Sequence, residues 1–541
     1  MKTDGNILGK GTWIDKIAHD LISRENKLGR DTKLIRVESG LGASGIPHIG
    51  SMGDAVRAYG VTLALQNLGY ESELIAYSDD MDGLRKIPYG LPDSLHKEIA
   101  KPVSEVSDPF GDCHASYGAH MSSLLLEGLD RVGVRYKFQS GTAAYKNNML
   151  SKQIDTILRN SNRLGIGIQA MIGQDKYNQT LPYFPICQNC HRLYVAKAEK
   201  YFPEEMKVAY SCMDTRIGNE TIKGCRYVGE SNINNGNGKL AWKVEFAARW
   251  QAFDIRFEAY GKDIMDSVKV NDWVSSDILG YSHPLHLRYE MFLDKVGKKI
   301  SKSKGNVLTP QMWLEYGTPE SLLLLLYKRV TGTRHVSIDD IPSLMDEYDF
   351  YEDVFFGNAL EENQIKLAKI RGIYEYINHL KPSSSPSKHV PYRLLVQQAL
   401  LFSADAERID RIYGRLAKYG IAAEKNAIMT KKIRLASNWA DDQGLQNDRR
   451  SELDLTQKDK DALRELIQAL REFKGKENNN DSPKILQSRI FDISRRNEVG
   501  IKEFFTILYR ILVGTDRGPR IGNYVLDLGI DRTCDLVHAY L

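Results

Sequence analysis

The chain has 541 residues, more than one hydrophobic core usually organises, so about three or four domains and a modular enzyme are expected. A formal net charge of +4, with 27% of residues charged, permits a nucleic-acid partner without demanding one. Neither a secretory leader nor a membrane span is expected: Met1 to Gly5 lacks a basic flank leading into an apolar core, and the longest apolar run, Leu322 to Leu326, is far too short to cross a bilayer.

In chain order, Lys33 to Glu38 reads as a buried strand running into the small-residue loop Ser39 to Gly45. A helix is predicted from about Met52 to Leu68, closed by Gly69 as a left-handed cap, and Glu73 to Tyr77 is a second strand. This βαβ unit should lay its strands parallel, with ligands beyond their carboxyl ends, where the glycine loop and Ser78-Asp79-Asp80-Met81-Asp82 lie. The stretch from about Phe110 to Gly238 departs from this rhythm and reads as an insertion, after which Leu240 to Glu245 is expected to restore the parallel sheet. Thr309-Pro310 and Thr318-Pro319 each place a capping hydroxyl before a first-turn proline, so two helices start in succession. From about Glu347 onward the pattern is helical, broken by polar loops after Lys381 and Lys476, with a core helix through Phe504 to Leu512 and a basic turn at Arg517 to Arg520. No internal repeat is evident.

Two segments carry the chemistry. Gly45-Ile46-Pro47-His48-Ile49-Gly50 sits between a strand and a helix, and Lys299-Ile300-Ser301-Lys302-Ser303-Lys304-Gly305-Asn306 lies far downstream. In this order they match the paired signatures that bracket ATP in enzymes activating amino acids. A carboxylate attacking the α-phosphorus of ATP needs positioning, positive charge and hydrogen-bond donors more than a strong base. Ser44, Gly45, Gly50 and Ser51 let ATP approach backbone and helix N-terminus, and His48 can donate to phosphate. Lys299 and Lys302 could close over the leaving pyrophosphate with Ser301 and Ser303 as further donors, magnesium sharing the charge. Gly261 and Asp263, in Tyr260-Gly261-Lys262-Asp263, are candidates for the ribose hydroxyls. Asp79, Asp80 and Asp82 stand at the correct end of a strand to partner an ammonium group.

Four of the six cysteines, Cys187, Cys190, Cys212 and Cys225, fall in one stretch, which suits a zinc knuckle in a reducing compartment better than a disulfide frame. His191 is a possible substitute ligand, while Cys113 and Cys534 are isolated and read as core or surface thiols. A soluble, cytoplasmic protein is expected.

With these motifs placed, the chain resembles the class I lysyl-tRNA synthetases over most of its length. The resemblance rests on Glu38 through Gly50, on Ser78 through Pro88, on the lysine loop, and on Glu503 through Arg520; the Asp-Asp-Met-Asp-Gly-Leu-Arg-Lys run from Asp79 narrows it to lysine. It implies an α/β fold: a Rossmann-type parallel-sheet catalytic domain with a zinc-binding insertion, followed by an all-α C-terminal domain. Residues 1–110 and 239–300 would be the two halves of the catalytic domain, 111–238 the insertion contacting the acceptor stem, 301–346 the lysine loop and stem-contact segment, and 347–541 the helical anticodon-binding domain. The resemblance further implies L-lysine, ATP with Mg2+ and tRNA(Lys) as substrates, attachment first to the ribose 2′-hydroxyl, and lysine activation that needs bound tRNA. Trp242 and Tyr289 match aromatic positions of the family's lysine pocket, and Gly40 matches a backbone contact to substrate. Three positions depart from the pattern: Ile264 stands where the family usually has a pocket histidine, Ser51 ends the first signature, and Ile300 replaces a methionine of the lysine loop. Arg517 and Arg520 are candidates for RNA contact, and a monomer is the simplest expectation. The alternatives are a class I synthetase for another amino acid such as glutamate, a small-molecule nucleotidyltransferase, and a non-catalytic tRNA-binding paralogue.

Overall fold

The computed structural model describes residues 7–88, 90–111, 113–294, 297, 308–402, 404–419, 421, 425–443, 453–475, 481–514, 516 and 520–541. They form two compact units, the first comprising Met1–Met312, Leu323–Ser337 and Leu360–Pro382, the second Trp313–Leu322, Ile338–Ala359 and Ser383–Leu541. No helix among the described residues is long and apolar enough to cross a membrane.

The chain begins with α1 (Trp13–Lys27), β1 (Leu34–Leu41), α2 (Ile49–Asn67), β2 (Glu71–Ser78), α3 (Tyr117–Arg131) and β3 (Lys137–Ser140). Short helices α4 (Gly141–Lys146), α5 (Ser151–Arg159) and α6 (Ser161–Ile172) lead to small strands: β4 (Tyr183–Pro185), β5 (Ala196–Phe202), β6 (Lys207–Cys212), β7 (Thr215–Ile217), β8 (Glu220–Ile222), β9 (Val228–Asn232) and β10 (Gly238–Leu240). Then come α7 (Trp242–Ala252), β11 (Ile255–Gly261), α8 (Met265–Trp273), β12 (Leu285–Tyr289) and β13 (Phe292–Leu293).

The main sheet has the order β12-β11-β1-β2-β3, with every adjacent pair parallel. Its direction of winding reverses between β1 and β11, and the crevice beyond their carboxyl ends is where such sheets take ligands. The strands β1, β2 and β11 are largely buried because helices cover them. α2 hides nearly every residue from Ile49 to Leu65, so it is a core helix with no polar face. It starts three residues earlier than expected because His48 caps it, and Gly69, at φ 89°, follows its end in the left-handed conformation that closes helices. β3 lies within the stretch set apart above as an insertion and forms the edge of the main sheet.

The reading of Leu240 to Glu245 as a returning parallel strand is corrected. Leu240 ends β10, which pairs antiparallel with β4, and Trp242 begins α7. In α7 the residues Val244 to Trp250 are all buried, Glu245 and Arg249 among them, so its charged positions face buried partners instead of solvent and Leu240 to Glu245 alone is too short to distinguish helix from strand. The strand that rejoins the sheet is β11.

Thr309 and Thr318 do precede two helices, α9 (Pro310–Tyr316) and α10 (Pro319–Tyr327), and their hydroxyls accept from the Met312 and Ser321 N–H groups at 3.1 and 3.4 Å. β14 (Arg334–His335) pairs with β13. The remaining elements are helices: α11 (Ile341–Phe356), α12 (Gln364–Ile377), α13 (Tyr392–Leu401), α14 (Arg408–Lys418), α15 (Ala427–Gln443), α16 (Gln457–Phe473), α17 (Ser482–Arg496), α18 (Ile501–Leu512), α19 (Ile521–Leu528) and α20 (Ile530–His538). α12 belongs to the first unit, the others to the second. α18 buries Phe504, Leu508 and Leu512 on one stripe, as expected of a core helix.

Candidate active site

The His48 turn lies at the reversal point of the sheet, between β1 and α2. The His48 Nδ1 accepts the Ser51 N–H at 3.1 Å, so that lone pair is committed to the helix cap and the ring proton belongs on Nε2. Gly50 must be glycine for this arrangement, since a Cβ there would come within 2.8 Å of the imidazole. The next residue ties the turn to the distant signature: the Ile49 N–H donates to the Leu308 carbonyl at 2.9 Å. Leu308 lies two residues past the lysine loop, whose Lys299, Ser301, Lys302 and Ser303 lie outside the described residues, as does Arg517.

On the loop's other flank, Arg57 of α2 lies 4.3 Å from the centre of the Tyr289 ring and 5.9 Å from that of Phe292. Both flanks of the loop therefore meet α2. Tyr289 ends β12 beside Gly261, and a Cβ on Gly261 would meet Asp263 Oδ1 at 2.8 Å. Asp263 is thus folded over the end of β11, next to the strand that carries the His48 loop. Ile264, where a pocket histidine was expected, packs against the apolar cluster that also receives Trp242.

Beneath this crevice is a buried cluster of charge. Glu38 and Glu258 stand opposite each other on β1 and β11, and Arg249 reaches in from α7 to both. Its guanidinium lies 2.7 Å from Glu38, 2.8 Å from Asp79 and 3.7 Å from Glu258, and 4.3 Å from the Tyr77 ring centre. Three carboxylates share one cation. Burial pushes the Glu38 carboxyl up to about 8, with Arg249 opposing and the neighbouring acids adding to the rise. Burial likewise pushes Asp79 up to about 7 against the pull of Arg249. Gly40 opens onto this cluster: a Cβ on it would lie 3.9 Å from Asp79 Oδ2.

The other two candidate aspartates meet the chain's own groups. Asp80 accepts from the Thr142 N–H at 2.6 Å and the Ser140 hydroxyl at 2.5 Å, so it holds the start of α4. Asp82 is paired with the buried ammonium of Lys239, which also contacts Glu245 at 2.9 Å, and it accepts the Trp242 indole N–H at 3.2 Å. Sequence reasoning missed Lys239 and Arg249, the two cations that balance these acids.

The four cysteines converge as expected. Cys187 and Cys225 are 3.6 Å apart at sulfur, Cys190 and Cys212 3.8 Å, close to the edge of about 3.8 Å for a tetrahedron with zinc–sulfur bonds of about 2.3 Å. The Cys225 N–H points at the Cys212 sulfur at 3.2 Å. Few apolar residues surround them, so this knot of β5, β6 and β9 has little core of its own and a bound ion would hold it together. His191 stands outside the set, its N–H donating to the Cys187 carbonyl at 2.8 Å.

Cys113, read as isolated, is not. Its sulfur lies 3.2 Å from Asp108, 3.2 Å from His114 and 3.4 Å from His120, and the His120 Nδ1 is 2.9 Å from Asp108. These four side chains could also hold a metal ion, and the signal that would have found them is the spacing Asp-x4-Cys-His-x5-His from Asp108 to His120.

A parallel sheet with a histidine-capped helix at its reversal point, tied to the flank of a lysine loop, defines an α/β enzyme of the class I synthetase type. The profile of the family described as tRNA synthetases class I (K) matches residues 11–379. A lysine–tRNA ligase of Cenarchaeum symbiosum (strain A) is 50% identical over 534 residues, covering 99% of each chain. One from Rickettsia akari (strain Hartford) is 29% identical, covering 93% of this chain and 92% of its own. The chain belongs to the class I tRNA synthetases of the lysine group.

Proposed function

We propose that this enzyme ligates L-lysine to tRNA(Lys) through an enzyme-bound lysyl-adenylate. The lysine carboxylate attacks the α-phosphorus of ATP, the bond to the β-phosphate oxygen breaks and pyrophosphate leaves; the terminal ribose hydroxyl then attacks the adenylate carbonyl and AMP leaves. The observation that carries this is the hydrogen bond from Ile49 to Leu308, which sets the chain just past the lysine loop against the histidine turn; His48, Lys299 and Lys302 would supply the donors and positive charge that a triphosphate needs. Asp263 is suited to the ribose hydroxyls, and Mg2+ shares the phosphate charge. Zinc on the four cysteines would act as a structural ion within the insertion. The helical region 347–541 is assigned to the anticodon, with exposed Arg520 among its RNA contacts, and the enzyme is placed in the cytoplasm as a monomer.

Lysine is favoured over glutamate by the balance of buried charge. Glu38, Asp79 and Glu258 outnumber Arg249 beside Gly40, which suits a cation and repels a carboxylate. The test is aminoacylation of unfractionated tRNA with a panel of amino acids. Lysine should be the only good substrate; preferential charging with glutamate, or with nothing, overturns the reading.

The same cluster sets a pH dependence. Asp79 gives up its proton near pH 7 and Glu38 near pH 8, so the site gains negative charge as pH rises through that range and loses it toward acid. The KM for lysine should therefore fall as pH rises from about 6 to about 8, a range in which the substrate's side-chain ammonium, with an ordinary pKa of about 10.4, keeps its charge. Steady-state kinetics across that range, with tRNA and ATP saturating, read the effect directly. A KM that rises with pH would contradict a cation bound beside these acids.

A further inference from the structure

Asp272, His283 and His286, spaced Asp-x10-His-x2-His, each offer a ligand atom within 4.8 Å of the others. They share no residue with the cysteine knot or with the group around Cys113. Asp272 is on α8, and His286 is the second residue of the edge strand β12, level with Glu258 of β11 and away from the carboxyl ends where ATP is expected. The chain between Asp272 and His283 forms a π-helical turn (Val274–Ile278), a rare conformation that is frequent at functional sites. Gly280, at φ 66°, then turns the chain so that both imidazoles come back to the carboxylate.

His286 is oriented for ligation. Its Nδ1 lies 3.2 Å from the Glu258 carbonyl, which can only accept, so the ring proton belongs on Nδ1 and Nε2 carries the lone pair. That nitrogen is 2.9 Å from Asp272 Oδ1. Two acceptors this close repel unless positive charge joins them. Ligand atoms on metal bonds of about 2.0–2.1 Å stand about 2.9 Å apart at a right angle and about 3.4 Å apart at the tetrahedral angle, so the pair has the separation of two neighbouring ligands. The His283 ring lies parallel to that of His286, 5.7 Å away, with its Nδ1 3.7 Å from the same Asp272 oxygen and 2.9 Å from the Pro284 carbonyl. A ring N–H given to a backbone carbonyl is the usual support of a metal-bound imidazole, and both histidines have one. Among the described residues, no lysine or arginine pairs with Asp272. Its side chain is 29% exposed and that of His283 38%, so an ion can enter.

We infer that Asp272, His283 and His286 bind a divalent first-row transition-metal ion of the zinc type, with water completing its shell. Two imidazoles and one carboxylate suit zinc, cobalt or nickel, whereas magnesium and calcium take oxygen ligands. The ion clips the edge strand β12 to α8, and so braces the strand that ends in Tyr289. The inference is independent of which amino acid or RNA the enzyme takes.

The test is equilibrium dialysis of the full-length wild type, His283→Ala and Asp272→Asn against micromolar free zinc, with metal per chain read by elemental analysis. The wild type should hold one equivalent more than either variant. Zinc should also raise the thermal-unfolding midpoint of the wild type more than that of the variants. Cobalt in place of zinc separates the sites: the thiolate-to-cobalt absorption of the cysteine knot should be the same in all three proteins, while the weaker visible bands of a nitrogen–oxygen site are lost from the variants. Should a variant lose the thiolate absorption as well, its fold has failed, and His283→Gln, which keeps size and polarity, takes its place. Equal metal content in wild type and variants, or a wild-type excess that appears only at millimolar zinc, would overturn the inference and leave a proton, not a metal ion, joining His286 to Asp272.

Discussion

Arg249→Met should destabilise the enzyme by about 3–5 kcal/mol, a large part of the roughly 5–15 kcal/mol that holds a typical domain folded. The substitution keeps most of the side chain's bulk, so the loss reflects charge. Glu38, Asp79 and Glu258 would be left buried with no cation between them, and their pKa values, already raised by burial for all three, would rise further. The folded variant would then bind protons that the unfolded chain, with ordinary carboxylates, releases. Up to about pH 7 the folded wild type holds the Asp79 and Glu38 protons as well, so the deficit relative to the wild type should change little there and grow above it, where wild-type Asp79 and then Glu38 ionise against Arg249 and the variant's acids stay protonated. Urea unfolding at about pH 5.5 and about pH 8 would separate this from a packing defect, which would not depend on pH. A variant as stable as the wild type at the higher pH would show that the three acids are not held by Arg249. Arg249→Lys, which keeps the charge but lacks the forked donors that reach Glu38 and Asp79 together, should fall between the two.

That cluster also marks where the sequence stops being readable. Strand β1, helix α2 and strand β2 were legible because each declares itself locally: a buried apolar run, a small-residue loop, and a glycine at the left-handed position after the helix. Thr309-Pro310 and Thr318-Pro319 were legible for the same reason. Nothing local says that an arginine on α7 will pass beneath the sheet to acids from β1, β11 and the end of β2, or that Lys239 will occupy Asp82. Those contacts depend on how distant elements pack. The three aspartates after β2 illustrate the point, since their sequence positions are nearly equivalent while their partners are an arginine, the start of a helix, and a lysine with an indole. The misreading at Leu240 to Glu245 has another cause, because the stretch ends four residues into α7, before the i,i+4 spacing of Glu245 and Arg249 could declare a helix. The grouping at Cys113 was visible in the spacing of its neighbours, but a search centred on cysteine pairs passes over a lone thiol flanked by imidazoles.

His48→Ala and Lys302→Ala should each slow lysine activation by about 10²–10³-fold while leaving tRNA affinity within about three-fold of the wild type. For His48 the argument is geometric. With Nδ1 accepting from Ser51, the ring proton belongs on Nε2, and a hydrogen bond from it to a phosphate oxygen would strengthen as negative charge accumulates on the departing pyrophosphate. Alanine also removes the α2 cap, a loss of about 1 kcal/mol in stability that thermal unfolding would register separately. For Lys302 the effect is a lost point charge on the same group, so the double variant should be less impaired than the product of the two single losses, as expected of side chains acting on one transition state. Lysine-dependent pyrophosphate exchange in the presence of tRNA measures activation, and filter binding measures RNA affinity. Parallel loss of both activities in either variant, or single losses that multiply in the double variant, would contradict a shared role for the two side chains on the departing pyrophosphate.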